Sequence, residues 1–222
     1  MNQNTATQIT GWAFIGAAVL YWFGWMLLPV KIGTFFVTAD FASVQEQFRF
    51  WIWMYRFYLF GIVVAVSALF ALGSLLTVSE ARTVAWPGIA VTVIGLMVGA
   101  CADAFYYHFG AWGALYMDGK SPAEIETFVD SLLISTEYVT CLVRFGRVFG
   151  GFGLLVLGVG LWKWKVLPSW AGGVAVLMGV AAMAVTMGLP DDLHLYAPIW
   201  HLFAVWLVGV GATILRLGVR TN

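Results

Sequence analysis

Six ionisable side chains stand within or at the edges of strongly apolar stretches of this chain: Arg56, Asp103, Glu137, Arg144, Arg147 and His201. A charge at the centre of a bilayer costs at least roughly 2.5–3.5 kcal/mol on insertion scales. Charges in such places are near a surface, paired, or functional. The densest case is Val139–Gly151, where Arg144 and Arg147 lie three residues apart. A planar guanidinium fork suits a carboxylate, a phosphate or a carbonyl oxygen. Asp103 is the natural counter-charge for Arg147 or Arg144, and Glu137 for Arg144 or Arg56. If the site carries a reaction, Asp103, Glu137 or His201 would serve as its acid or base.

Metal chemistry has fewer supports. Asp191, His194 and His201, with Asp103, could form an oxygen and nitrogen set, but no HExxH or ExxH spacing accompanies them. Of the three histidines only His201 falls inside a span, whereas haem ligation across a membrane calls for facing histidines on different helices. Cys101 and Cys141 show no CxxC or zinc spacing and read as small buried apolar residues.

The elements that position these groups follow from composition. Of 222 residues, 62% are hydrophobic and 10% are charged, against about 25% charged in ordinary soluble domains. That makes the chain an integral membrane protein. Net charge is zero, which leaves no nucleic-acid footprint. The N-terminus lacks a basic n-region, so its first apolar run reads as a retained span. Apolar runs at about 11–30, 55–76, 85–107, 136–162, 169–189 and 198–217 give a single all-α domain of six transmembrane helices. Tryptophans near their ends, Trp12, Trp51, Trp53, Trp86, Trp162 and Trp170 among them, read as an interfacial belt. Arg82, Lys163, Lys165, Arg216 and Arg220 fall on one side and most carboxylates on the other, so both termini are expected in the cytoplasm.

Ser43 with Glu46, and Ser121-Pro122-Ala-Glu124, are capping signals in the two long outer loops. The second predicts a fourth helix running from Pro122 and projecting outward, or else a short outer helix with a kink near Ser135-Thr136. Glu126, Asp130, Glu137, Cys141 and Arg144 form one polar stripe on that helix. The hairpins of spans 2–3 and 4–5 open alike, at Arg56-Phe-Tyr-Leu-Phe-Gly61 and Arg144-Phe-Gly-Arg-Val-Phe-Gly150, and could be a repeat.

At 1.5 Å per residue, Arg147 lies roughly 22 Å, Arg144 roughly 27 Å, Asp103 roughly 26 Å, His201 roughly 24 Å and Arg56 roughly 30 Å from the inner ends of their spans. In a hydrocarbon core about 30 Å thick, these groups share one level in the outer third. The expectation is an outward-facing polar pocket.

The Arg144-Phe-Gly-Arg147 opening, the Leu167-Pro-Ser-Trp-Ala-Gly172 turn and the Gly/Ala/Val-rich span after it resemble a family of small six-helix bacterial inner-membrane proteins catalogued as a domain of unknown function. The resemblance implies fold and location and carries no catalytic residues. The leading functional reading is binding of a lipophilic molecule with a polar or anionic head, of lipid, quinone or isoprenoid type. The alternatives are structural ion pairing alone, an accessory subunit of a membrane complex or a homo-oligomer, a small transporter, and a metal- or haem-binding membrane enzyme.

Overall fold

The computed structural model describes residues 3–26, 38–190 and 193–217. It is all-α. Helix α1 is Gln3–Met26, α2 is Thr38–Glu46, α3 is Phe48–Leu75 and α4 is Ser79–Phe105. A π-helical segment, Tyr106–Trp112, carries α4 into a short α5, Gly113–Tyr116. Helix α6 is Pro122–Lys163, α7 is Ser169–Gly188 and α8 is Leu193–Leu217. Five helices are long and apolar enough to cross a membrane: α3, the α4–α5 rod, α6, α7 and α8.

The six long helices form a closed ring. Helix α1 lies between α3 and α8, α8 meets α7, α7 meets α6, α6 meets α4, and α4 returns to α3. The ring consists of two triads. In α4, α6 and α7 the backbones touch directly. A Cβ on Gly95 would strike the backbone of Gly150, and one on Gly153 that of Thr92. One on Gly158 would sit 2.7 Å from the Gly172 carbonyl. In α1, α3 and α8 the same device recurs: a Cβ on Gly61 would lie 2.8 Å from the Tyr21 nitrogen, and one on Gly211 2.6 Å from the Gly11 carbonyl. Without a hydrophobic force between helices in lipid, close small-residue contact is what holds them together.

Side chains, largely aromatic, join one triad to the other. Toward the end that carries Lys163 and Arg216, the Trp206 indole donates to the Ala171 carbonyl at 2.8 Å, and Trp170 covers Gly209. Trp86 packs on Gly73 and on Phe70, whose ring centroid is 5.9 Å away.

The capping signal at Ser121 is realised. Its hydroxyl accepts from the Glu124 backbone, and Glu124 accepts from the Ser121 nitrogen at 2.9 Å. The helix then runs 42 residues, about 63 Å, without a break at Ser135-Thr136. Its length is about twice a hydrocarbon core. Its outer half helps build a second apolar core with Phe41, Val44, Trp51, Ile52, Ala111, Ala114, Val129 and Leu132. Trp51 therefore belongs to this core and not to an interfacial belt.

The segment after Tyr107 departs from the loop the sequence suggested. Gly110 and Gly113 stand inside the helical segments there. They are buried, and Phe128 packs where a Gly113 side chain would stand. The Ser43 cap signal also shifts: α2 begins at Thr38, and a one-residue turn at Gln47 separates it from α3. Pro198 lies inside α8, five residues after its start. So near the helix end, few backbone hydrogen bonds depend on its missing N–H.

A seam of this kind predicts selective intolerance. Gly95→Leu should lower unfolding free energy in an SDS titration by about 1–3 kcal/mol, as overpacking does. Gly99→Ala and Gly173→Ala, where an added Cβ meets nothing within 4 Å, should change it by less than about 0.5 kcal/mol.

Candidate functional site: a polar layer across the helix ring

The site sits where the two triads meet. The α4–α6–α7 triad supplies Asp103, Arg147 and Arg144. The other triad supplies Tyr21 and Trp22 from α1, Tyr58 from α3, and Tyr196, Trp200 and His201 from α8. Tyr21, Trp22, Asp103, Tyr196, Trp200 and His201 lie within the last or first three turns of their helices, whereas Arg144 and Arg147 lie midway along the longer α6.

The Tyr58 hydroxyl hydrogen-bonds the Asp103 carboxylate, and the Arg147 charge lies within electrostatic reach of it. Tyr21 hydrogen-bonds Tyr58 in turn, with ring centroids 5.0 Å apart. Both tyrosines are buried, at 3% and 6% exposure, so each hydroxyl needs a protein partner. The Arg147 guanidinium lies 4.4 Å from the Tyr196 ring centroid and 5.3 Å from that of Trp200. Such cation–π contacts contribute roughly 0.5–2 kcal/mol each. Asp103 and Arg147 are half-buried. Of the two arginines offered to Asp103 by sequence, Arg147 is the one whose charge reaches it.

The remaining residues separate. Arg144 donates to the Thr186 carbonyl at 2.8 Å, near the end of α7. It thus satisfies one of the carbonyls that a helix C-terminus leaves without an intrahelical bond. Arg56 donates to the Tyr107 hydroxyl at 3.0 Å and stacks on Trp53 at 4.9 Å. Glu137 is exposed and serves neither arginine as partner among the described ion pairs. Of the polar stripe of α6, Glu126, Asp130, Glu137 and Cys141 are all exposed, and Arg144 alone turns to α7. Periodicity placed them on one face, but α4 and α7 pack on the small residues of another. Cys101 is exposed as well, so neither cysteine is the buried residue the sequence suggested.

His201 accepts the Trp22 indole N–H on Nδ1 at 3.3 Å, which leaves the proton of a neutral ring on Nε2. His201 therefore joins the layer through α1. Asp191 and Asp192 lie outside the described residues, and so does the side chain of His194. Among the described residues no three His, Cys, Asp or Glu side chains gather as metal ligands. The tyrosines were the residues sequence reasoning missed. The available signal was their height: Tyr21, Tyr58 and Tyr196 occupy the same level as the charges.

No family model, curated protein or solved structure matches this chain.

A charge left alone at this level should be worse than none. Asp103→Leu and Arg147→Leu should each destabilise the fold by about 1–3 kcal/mol, the lower part of the range for broken buried pairs because both groups are half-buried. The double variant should lose clearly less than the sum in the same SDS titration, while Glu137→Gln should be neutral.

Proposed function

We propose that the chain is a six-span bundle of a bacterial inner membrane, with both termini cytoplasmic, that binds a lipophilic molecule by its polar head at the Asp103–Arg147 layer. The observation that carries this reading is an arginine stacked on Tyr196 and Trp200 beside a carboxylate held by Tyr58. Stacking on the guanidinium face leaves its edge as the donor surface, which fits carboxylate, phosphate or quinone oxygens. The layer joins two triads through side chains, so a tail can lie along their junction without breaking a glycine seam. Helix α1 supports the sixth span: it has 24 residues, about 36 Å, and packs between two apolar helices. Arg82, Lys163 and Arg216 lie at the ends of α4, α6 and α8 that this orientation places in the cytoplasm.

A second reading, an accessory subunit of a membrane complex, is favoured by one feature. Leu133, Ile134 and Tyr138 are 50%, 88% and 66% exposed on the half of α6 that outreaches a bilayer. Lipid does not cover residues at that height, whereas a partner would.

Purification in mild detergent, solvent extraction and mass spectrometry test the first reading. Wild-type protein should yield a stoichiometric lipophilic compound, reduced at least about fivefold in Arg147→Gln and unchanged in Glu137→Gln, as expected when a charge-assisted contact is lost. Identical extracts from wild type and Arg147→Gln would contradict it. Recovery of a second protein that is lost on Ile134→Lys would select the accessory reading.

A further inference from the structure

Arg56 stands apart from the polar layer, half-buried on the flank of α3 between buried Tyr55 and exposed Phe57. Three aromatic residues hold it. The Tyr107 hydroxyl accepts its Nε–H at 3.0 Å, the Trp53 ring centroid lies 4.9 Å from the guanidinium, and that of Trp112 lies 6.0 Å away. Stacking and the Nε–H bond together fix the plane of the fork. The two terminal nitrogens have no acceptor among the described residues, and the protein encloses neither of them. The Tyr107 hydroxyl accepts from Arg56 and so keeps its own proton to donate. An open, positioned donor edge results, with a second donor beside it.

The π-helical winding of Tyr106–Trp112 makes this arrangement possible. In an α-helix, residues five apart point about 140° away from each other. Winding with i→i+5 hydrogen bonds brings them close to one line. Tyr107 and Trp112 accordingly meet, with ring centroids 6.4 Å apart, and both reach Arg56. Such segments are rare and are frequent at functional sites.

The surroundings define the acceptor. Arg56 lies about 28 Å along α3 from Leu75, close to the thickness of a hydrocarbon core, so it stands where head groups begin. Phe60 and Val63, one and two turns further along the same face, are 68% and 57% exposed. Beside them Phe57 packs on Phe23 of α1, with ring centroids 6.1 Å apart. A planar cationic fork at the head-group boundary, continuous with an uncovered apolar flank, matches a phosphate with acyl chains attached.

We propose that Arg56 and Tyr107 bind the phosphate of a phospholipid in the leaflet at the polar-layer end of the bundle. The terminal N–H groups of Arg56 take two phosphate oxygens side by side, Tyr107 donates to one of them, and the acyl chains run along Phe57, Phe60 and Val63. None of these residues belongs to the Asp103–Arg147 layer, so either reading can fail alone.

The test is native mass spectrometry of the delipidated full chain in detergent, titrated with phosphatidylglycerol, diacylglycerol of the same chains, or inorganic phosphate. Wild type should bind one phosphatidylglycerol most tightly. Arg56→Gln should weaken that step about tenfold and Tyr107→Phe about threefold, the losses expected for a charge-assisted and a neutral hydrogen bond. Arg56→Lys keeps the charge but loses the fork, so its affinity should fall between wild type and Arg56→Gln. Lys120→Gln, which removes an exposed cation at the same end, should bind as wild type does. Arg56→Lys and Tyr107→Phe keep the packing, so wild-type affinity in both would overturn the proposal even if Arg56→Gln failed to fold. Equal binding by wild type and Arg56→Gln, or an equal loss in Lys120→Gln, would overturn it too, as would diacylglycerol binding as tightly as phosphatidylglycerol. Displacement of the lipid by millimolar inorganic phosphate would assign the fork to the free anion and overturn its lipid occupant.

Discussion

The polar layer that Asp103 and Arg147 form with Tyr58, Tyr196 and Trp200 is the constraint on which the docking of the two triads depends. Asp103 and Arg147 both belong to the α4–α6–α7 triad, yet each reaches partners on the other triad: Arg147 the rings of Tyr196 and Trp200, Asp103 the hydroxyl of Tyr58. A charge pair in a low-dielectric setting is stable only when its geometry and hydrogen bonds are satisfied. The partners therefore fix how the two triads dock. Tyr21, behind Tyr58, extends that requirement to α1.

Two kinds of cohesion result. Within a triad, glycines bring backbones into contact, and dispersion between closely fitted surfaces holds the helices. Between triads, side chains do the work, with indoles at the inner level and a polar layer at the outer level. The inner contacts are apolar apart from the Trp206 hydrogen bond and ask nothing of a ligand. The outer contacts bring charge, donor groups and aromatic faces together at one height.

Much of this was legible in the sequence, because it is local. Apolar run length gives the spans. Ser121, Pro122 and Glu124 act within one turn and announce the start of α6 without tertiary information. The rise per residue puts Asp103, Arg147 and His201 at one level, and they do share it. The illegible parts all require knowing which face of a helix is covered. Glu137 and Arg144 share a stripe by periodicity, yet Glu137 faces outward while Arg144 reaches the Thr186 carbonyl of α7, because Gly146 and Gly153 direct another side toward α4. The stretch after Tyr107 reads as a loop but continues as helix, with Gly113 buried against Phe128. The order of helices around the ring depends on which glycine meets which backbone, and a single sequence does not encode that pairing visibly.

The central claim is that Asp103 and Arg147 face each other inside the ring. Solid-state NMR on the protein in lipid bilayers tests it directly, through dipolar coupling between the Asp103 carboxylate carbon and the Arg147 guanidinium nitrogens. The account predicts a coupling that corresponds to about 4–6 Å, the range over which an opposite charge acts on a carboxylate. The same measurement between Glu137 and Arg144 should give none. Absence of the Asp103–Arg147 coupling in folded protein would contradict the account.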